Sequence, residues 1–488
     1  MAGLTCTVRS GALWLLLLSA TACAALSDLE VEPLGETVTT EGGGAVTLSI
    51  SLARPPHGVM TVAAVSTDES EGRASASVQF DRDNWRQPQR ITVTGVDDTH
   101  DDGDIAYQVR LEVSGTQDRE QTPVTLGVIG FINRDDEVAQ FEGLGDLPGG
   151  EVASYANGVS ASGEVVVGSS AAGTQQPVRW TPSAKLESLA DTLGAATAVS
   201  PDGTLIVGTG ALETVPMADS LGLIWRGDGA AEAVAAPVWP GDSQLWSSVP
   251  RAVLDDGRIF GECMTQLGSG ISPQGCLVDP SGEVTLVLPW LSSVPSSATI
   301  AAANGAGSYA GTIRNHRYSS GFFGSFAVVN GSELPSPFGE RCSSRPNGCF
   351  AESQAIAAER NIVVGTASEG STFPAQFAFI YDTSGVRLLP DLAEGEEASG
   401  ALAISADGRV VGGFASDAEG QRAAVWVNEL PTALETLLVD AGGALPAGWR
   451  LTQVSGLSAD GRTIVGNGTN PQGHPEAFRI ILPSLLEE

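Results

Sequence analysis

Acidic side chains are the residues of this 488-residue chain whose spacing speaks most directly to chemistry. Between short apolar stretches they gather as Glu41-Gly-Gly, Asp68-Glu-Ser-Glu71, Asp97-Asp98, Asp101-Asp102-Gly-Asp104 and Asp135-Asp136-Glu137. Carboxylates crowded in this way repel one another, and a hard cation taking about six to eight oxygen ligands would relieve that cost. Ca²⁺ suits such loops better than Mg²⁺, because flexible loops supply an irregular oxygen cage while Mg²⁺ demands a tight octahedron and keeps its waters. The alternative is a solvated acidic edge that prevents sheets from pairing with one another.

The elements that must hold these acids are strands. Between residues 29 and 137 apolar and polar residues alternate, as in Val46-Thr-Leu-Ser-Ile-Ser-Leu52, Ile91-Thr-Val-Thr94 and Tyr107-Gln-Val-Arg-Leu-Glu-Val113. A period of two buries one face of each strand, and several such strands in one short segment predict a two-sheet sandwich. The segment Phe80-Asp-Arg-Asp-Asn-Trp-Arg-Gln-Pro-Gln-Arg-Ile-Thr-Val-Thr-Gly-Val-Asp-Asp98 and the ending Asn133-Arg-Asp-Asp136 resemble the Calx-beta modules of large bacterial surface proteins. The resemblance implies calcium at one end of the sandwich, and the positions matching the family's ligands are Glu41, Asp97, Asp98, Asp101, Asp102, Asp104, Asp135 and Asp136. Where the family often ends in three Asp, this chain has Asp135-Asp136-Glu137.

No catalytic constellation emerges. A Gly-x-Ser-x-Gly elbow needs a strand, a sharp turn and a helix, and no helical pattern is present to receive one. With 58 acids a glycosidase-like carboxylate pair always exists on paper, so its presence decides nothing. Asp202, Asp256, Asp407 and Asp460 recur at equivalent places in a repeat, which hairpin geometry explains better than catalysis. The aromatics Trp239, Trp246, Trp290 and Tyr318-Ser-Ser-Gly-Phe-Phe323 are either core or a stacking surface for a sugar or protein ligand.

The repeat dominates the rest of the chain. Gly158 to Gly168 (GVSASGEVVVG) recurs as Ala198 to Gly208, Ala252 to Gly261, Ala302 to Gly311, Ala355 to Gly365, Ala403 to Gly412 and Gly456 to Gly466, with closing glycines 40 to 54 residues apart. That period predicts four-stranded propeller blades. Each Asp-Gly or Ser-Gly pair predicts a hairpin. A third apolar run often ends in Trp, and a Leu-rich fourth run, including Leu434 to Val439, closes most units. The last unit lacks its fourth strand, and Gln140 to Leu147 is the segment able to supply it, closing a ring with no open edge. The expectation is an all-β chain, a Calx-beta-like β-sandwich over 29–137 followed by a seven-bladed β-propeller over 138–488.

Leu144-Gly-Asp-Leu-Pro-Gly-Gly150, Ala156-Asn-Gly-Val-Ser-Ala-Ser-Gly163 and Val178-Arg-Trp180 resemble the bacterial extracellular HAF repeats over roughly 140–485, well in units one, two, six and seven and poorly in three to five. The resemblance implies a repeat ring outside the cytoplasm and no chemistry.

Gly11 to Ala20 is an apolar run of ten residues after Arg9, too short to span a bilayer, and reads as a secretory signal over 1–22. Ala20-Thr-Ala-Cys23 is similar to a lipobox, which would make Cys23 the lipidated N-terminus of a short tether over 23–28; cleavage at an Ala-x-Ala-like site is the competing reading. Removing Cys6 and Cys23 leaves Cys263, Cys276, Cys342 and Cys349, economically paired as two local disulfides, 263 to 276 and 342 to 349. A metal site is the alternative, opposed by four scattered histidines and no Cys-x-x-Cys.

Net charge is −33, with no clustered Lys or Arg, which excludes a nucleic-acid partner. The combined expectation is a secreted, lipid-anchored binding or adhesion protein of the outer membrane or cell surface, with Ca²⁺, no organic cofactor and an extracellular protein or glycan ligand. A soluble secreted form is the alternative location. The rival functions are a polysaccharide hydrolase or lyase on a propeller scaffold, favoured by convergent carboxylates with His or Arg in the central funnel, and a structural envelope assembly protein.

Overall fold

A computed structural model of the chain describes residues 29–97, 104–115, 124–134, 138–190, 193–212, 221–234, 248–267, 270–288, 297–317, 323–339, 349–369, 376–392, 397–418 and 420–483. The leader and Cys23 lie outside these residues. Two compact units divide at Glu137 and Val138.

The first unit contains β1 (Leu29–Pro33), β2 (Val38–Thr40), β3 (Ala45–Leu52), β4 (Met60–Ser66), β5 (Gly72–Ala74), β6 (Val78–Phe80), β7 (Gln89–Gly95), β8 (Ile105–Gly115) and β9 (Val124–Arg134). One sheet runs β1-β3-β7-β5 and the other β2-β9-β8-β4-β6. Alternation makes β3 strand-like: Val46, Leu48, Ile50 and Leu52 are buried while the residues between them are less so. They pack with Ile91 and Val93 of β7 and with Val62, Val109 and Phe131 of the second sheet, and Tyr107 stacks on Phe131 at 5.5 Å.

The second unit is a β-propeller. Its four-stranded antiparallel sets span 154–188, 194–233, 248–288, 297–333, 349–388 and 398–433, and a last set joins three strands over 450–481 to β10 (Gln140–Gly143). The sets over 297–333 and 349–388 are bridged by one parallel pair, Ser325 and Phe350. In the first six sets the strands follow chain order, and in the last the three strands over 450–481 do so before β10 completes it; the strand that begins each meander, Arg450–Leu457 in the last set, is innermost and lines the central cavity. Closure is by β10, which pairs Gln140 with Ile481 and Gly143 with Phe478. Its Phe141 meets Trp449 edge-on at 4.9 Å and lies on Phe478. First and last sets also meet directly: Asn467 Oδ1 accepts the Ala156 N–H (2.8 Å) and Ser455 Oγ donates to the Ala156 carbonyl (2.7 Å). The cycle is therefore continuous.

The Ser-x-Asp-Gly turns explain the repeated acids. The Ser200 hydroxyl donates to Asp202 Oδ1 (2.6 Å) and accepts the Leu205 N–H (3.0 Å), while Asp202 accepts the Thr204 N–H (3.0 Å). Ser405 with Asp407 and Ser458 with Asp460 repeat the arrangement. Gly203, at φ 79°, supplies the left-handed residue of the turn. The hydroxyl of Ser200, and then the Thr204 N–H, hold the Asp202 carboxyl below its ordinary range. Asp256 is lowered chiefly by the Arg258 N–H. These carboxylates are spent on hairpins. Indoles tie successive sets together, since Trp180, Trp225 and Trp426 Nε1 donate to the carbonyls of Leu144, Leu189 and Pro390.

Two expectations are corrected. The run Leu434 to Val439 is not a closing strand: Leu430–Ala433 fills that place, and α1 (Leu434–Asp440) follows. Leu434 and Leu438, four residues apart, are both buried, a helical period that outweighs the Leu-rich composition. The sixth repeat's glycine equivalent to the others is Gly413, not Gly412, because Gly413 pairs with Ala401 as Gly168 pairs with Ala156.

Cys263 and Cys276 form a disulfide across the hairpin of the third set, with Cα atoms 5.8 Å apart. Cys349 begins a strand, and Cys342 lies outside the described residues.

Phe141→Ala removes the ring that seats β10 between Trp449 and Phe478 and is expected to cost about 2 to 4 kcal/mol, read as a lower denaturant midpoint for the propeller; an unchanged midpoint would show that β10 does not hold the ring shut. A carboxyl depressed in the folded state contributes stability above its unfolded pKa that is lost as pH falls through the folded value. Ser200→Ala is therefore expected to raise the Asp202 titration midpoint in an NMR titration and to bring on loss of the turn's contribution at a higher pH.

Candidate functional site

Each innermost strand of the propeller carries a β-bulge at the same place. The extra residues are Asn157, Thr197, Arg251, Ala301, Gln354, Leu402 and Ser455. All of them line one cavity of about 450 Å³ at the centre of the ring. Bulges re-aim a side chain and often lie beside functional sites.

The repeat glycine is what makes the bulge possible. In every set the residue before the bulge pairs with the closing glycine. A Cβ at Gly168, Gly208, Gly261, Gly365, Gly413 or Gly466 would sit 1.8–2.2 Å from the carbonyl oxygen two residues ahead of the bulge. Backbone fills the space a side chain would need.

The bulged side chains divide into two arcs. Asn157 Nδ2 donates to the Ala196 carbonyl (2.8 Å), Thr197 Oγ1 to Pro250 (2.7 Å) and Ser455 Oγ to Ala156 (2.7 Å). In each case the acceptor immediately precedes the next set's bulge. These bonds latch the last set to the first, the first to the second and the second to the third. On the opposite arc Ala301 and Leu402 have no donor, and Arg251 turns to its own set, giving Nε (3.3 Å) and Nη2 (3.2 Å) to Glu262 Oε1. Arg314 of the fourth set gives Nε to Glu352 Oε1 of the fifth at 3.1 Å. The charged lining residues, Arg251, Glu262, Arg314 and Glu352, thus all belong to the third, fourth and fifth sets. Among the described residues no aromatic ring lines the cavity.

The sandwich presents a second polar cluster, at the end where β2, β7 and β9 finish and β5 and β8 begin. Glu41 is 2 % exposed, and its N–H donates to the Arg134 carbonyl (2.9 Å). Glu71 is buried beside Asn133, whose Nδ2 lies 3.4 Å from Glu71 Oε2 and donates to the Val96 carbonyl (3.2 Å). Thr39 Oγ1 donates to Asn133 Oδ1 (2.9 Å) and meets the Tyr107 hydroxyl (3.1 Å). Burial pushes the Tyr107 phenol up.

Of the eight positions matched to calcium ligands, Glu41, Asp97 and Asp104 are described, and Asp98, Asp101, Asp102, Asp135 and Asp136 lie outside the described residues. Asp97 and Asp104 are exposed. Among the described residues no three acids, histidines or cysteines gather closely enough to hold a metal. Glu71 stood in the acidic run at 68–71 with nothing in its spacing to set it apart; only burial does. Trp239, Trp246, Trp290 and 318–322 also lie outside the described residues. The bulge ring was missed, although its signal was available: each bulged residue precedes its repeat glycine by ten or eleven positions.

No protein-family model and no curated protein matches the sequence. Similar solved structures include the β-propeller domain of the trilobed protease from Pyrococcus furiosus, at 8% identity over 86% of this chain and 98% of that one, TM-score 0.39. TolB from Acinetobacter baumannii is 11% identical over 76% and 79%, TM-score 0.30. An oligogalacturonate lyase from Vibrio parahaemolyticus is 9% identical over 78% and 87%, TM-score 0.28. Among the described residues no helix is long and apolar enough to cross a membrane.

Thr197→Val keeps the shape of the side chain but leaves the Pro250 carbonyl without its donor, and is expected to destabilise the propeller by about 1 kcal/mol or somewhat more. Chemical denaturation monitored by tryptophan fluorescence checks this, and a neutral result would show that the latch contributes nothing.

Proposed function

We propose that this chain is a secreted, lipid-anchored bacterial surface protein that binds an extracellular ligand in the central cavity of a seven-bladed propeller. In this reading the blades are HAF-like repeats, the N-terminal unit is a calcium-stabilised Calx-beta-like sandwich, and Cys23 carries the lipid at the outer membrane. The observation that carries the binding role is the ring of bulged side chains around a cavity of about 450 Å³, a size suited to a small ligand or one residue of a larger one. Sequence divergence points the same way: the repeats that depart from the common turn, three to five, are those that place charged residues in the cavity.

Calcium remains a reading from acid crowding and family resemblance, supported by the buried carboxylates Glu41 and Glu71 at the matching end of the sandwich. A cation held there would be coordinated by Glu41 and the paired aspartates.

A hydrolase or lyase is the second reading, favoured by Glu262 and Glu352 reaching one cavity together with Arg251 and Arg314. Each carboxylate is already paired with an arginine, an arrangement suited to orienting a ligand more than to donating a proton.

A glycan and envelope-protein capture screen, run on the intact protein with calcium and with chelator, tests the binding role. Gln354→Trp should fill the cavity and abolish capture while the protein melts as the parent does; undiminished capture would place the site elsewhere, and turnover of a captured polysaccharide would favour the enzyme. Calcium at a hundred times its dissociation constant should stabilise the first unit by about 2.7 kcal/mol. Its melting transition should therefore rise in calcium over chelator, and Asp97→Ala with Asp98→Ala should remove the difference. A transition that ignores millimolar calcium would leave the acids as a solvated edge.

A further inference from the structure

We infer that the unlatched arc of the propeller cavity is a site for a small hydroxycarboxylate, gripped by Arg251 and Arg314; this rests on the cavity being the ligand site. The two ion pairs are asymmetric in exposure. Arg251 and Arg314 side chains are 44% and 47% exposed, while their partners Glu262 and Glu352 are 17% and 33% exposed. All four groups line the cavity, and in each pair the guanidinium is the more exposed member, so the more accessible charge is cationic.

A guanidinium has about five N–H donors in a fixed fork. Arg251 spends its Nε edge on a single oxygen of Glu262, and Arg314 spends only Nε on Glu352. The end-on edge of each, with Nη1 and the outward N–H of Nη2, is left for a second acceptor, and that edge matches a planar carboxylate bidentately. Pairing with glutamate fixes the rotamer beforehand, which lowers the ordering cost on binding.

The latches say where the ligand lies. In the other arc Thr197 and Ser455 have given their hydroxyl protons and Asn157 one amide N–H to neighbouring carbonyls, so those side chains are oriented by holding the ring. Thr299 and Thr312, in Arg314's own set, line the cavity and can donate to or accept from hydroxyl groups. Among the described residues no aromatic ring lines the cavity to act as a stacking platform, which disfavours recognition through the apolar face of a neutral sugar. Glu262 and Glu352 offset the two arginines, and in a chain of net charge −33 a dianionic phosphate is a poorer guest than a single carboxylate.

Isothermal titration calorimetry of the intact protein with D-gluconate, sorbitol and inorganic phosphate tests the assignment. Gluconate is expected to bind saturably, sorbitol, the same polyol without the carboxylate, not detectably, and phosphate at least tenfold more weakly. Arg314→Gln and Arg251→Gln should each weaken gluconate tenfold or more, and Arg409→Gln, in a distant turn, should change it less than twofold. Arg314→Lys keeps the charge and loses the fork; it should behave like Arg314→Gln, and it decides the matter if the glutamine variants fail to fold. Equal binding of sorbitol or phosphate, full binding by Arg314→Lys, or no gluconate binding at millimolar concentration would each overturn the assignment. If a ligand captured by the intact protein is then still displaced by Gln354→Trp, the cavity remains the site and only the ligand class is wrong.

Discussion

A carbonyl oxygen pressed against a glycine Cα is the contact on which the propeller depends. In the innermost strand of each set the chain bulges by one residue, and the carbonyl two residues ahead of the bulge occupies the space of a missing side chain on the second strand. Any larger residue at Gly168 would have to push Tyr155 away, since its Cβ would lie 1.8 Å from that oxygen. Relaxing the bulge would return the strand to its regular period of two and swing Asn157 out of the cavity. One small residue therefore governs both the packing of two strands and the direction of a side chain that faces the centre.

The second constraint is closure. A cyclic array of sheets leaves an open edge unless its ends meet, and here the meeting takes only four residues of β10 against the final strand. Their hold comes from aromatic packing, with Phe141 between Trp449 and Phe478, and from the side chains of Asn467 and Ser455, which reach the first set's backbone. The latches around the cavity extend the same logic to two more junctions. The bulged side chains of one arc thus brace the ring, and the charged lining residues lie on the other.

This division has a physical rationale. A bulged side chain can either satisfy a neighbouring set's carbonyl or pair within its own set at the cavity wall, and Thr197 and Arg251 represent the two choices at equivalent positions. The turns show the same economy. Asp202, Asp407 and Asp460 stand in a strongly acidic chain, yet one oxygen of each accepts from a serine hydroxyl and a backbone N–H, so repetition of an acid there reports hairpin geometry.

Local pattern determined much of this protein. Alternation in Val46 to Leu52, the Asp-Gly turns, the spacing of the repeat glycines and the orphan segment at Gln140 are all properties of short stretches, and short stretches decide strand, turn and period. Cys263 and Cys276 could be paired from their separation because they flank one hairpin. What tertiary structure alone decided is whatever depends on which neighbour arrives. Leu434 to Val439 is as Leu-rich as the true closing strands, and only the surface available to Leu434 and Leu438 makes it a helix. Gly413 takes the place of Gly412 because register, which is a relation between two strands, selects it. Glu71 is distinguished from Asp68 and Glu69 by burial beside Asn133, and Arg251 from every other arginine by a bulge that turns it toward Glu262 and the cavity. A side chain's chemistry is written in its own residue, but its direction and its partners belong to the residues that pack around it.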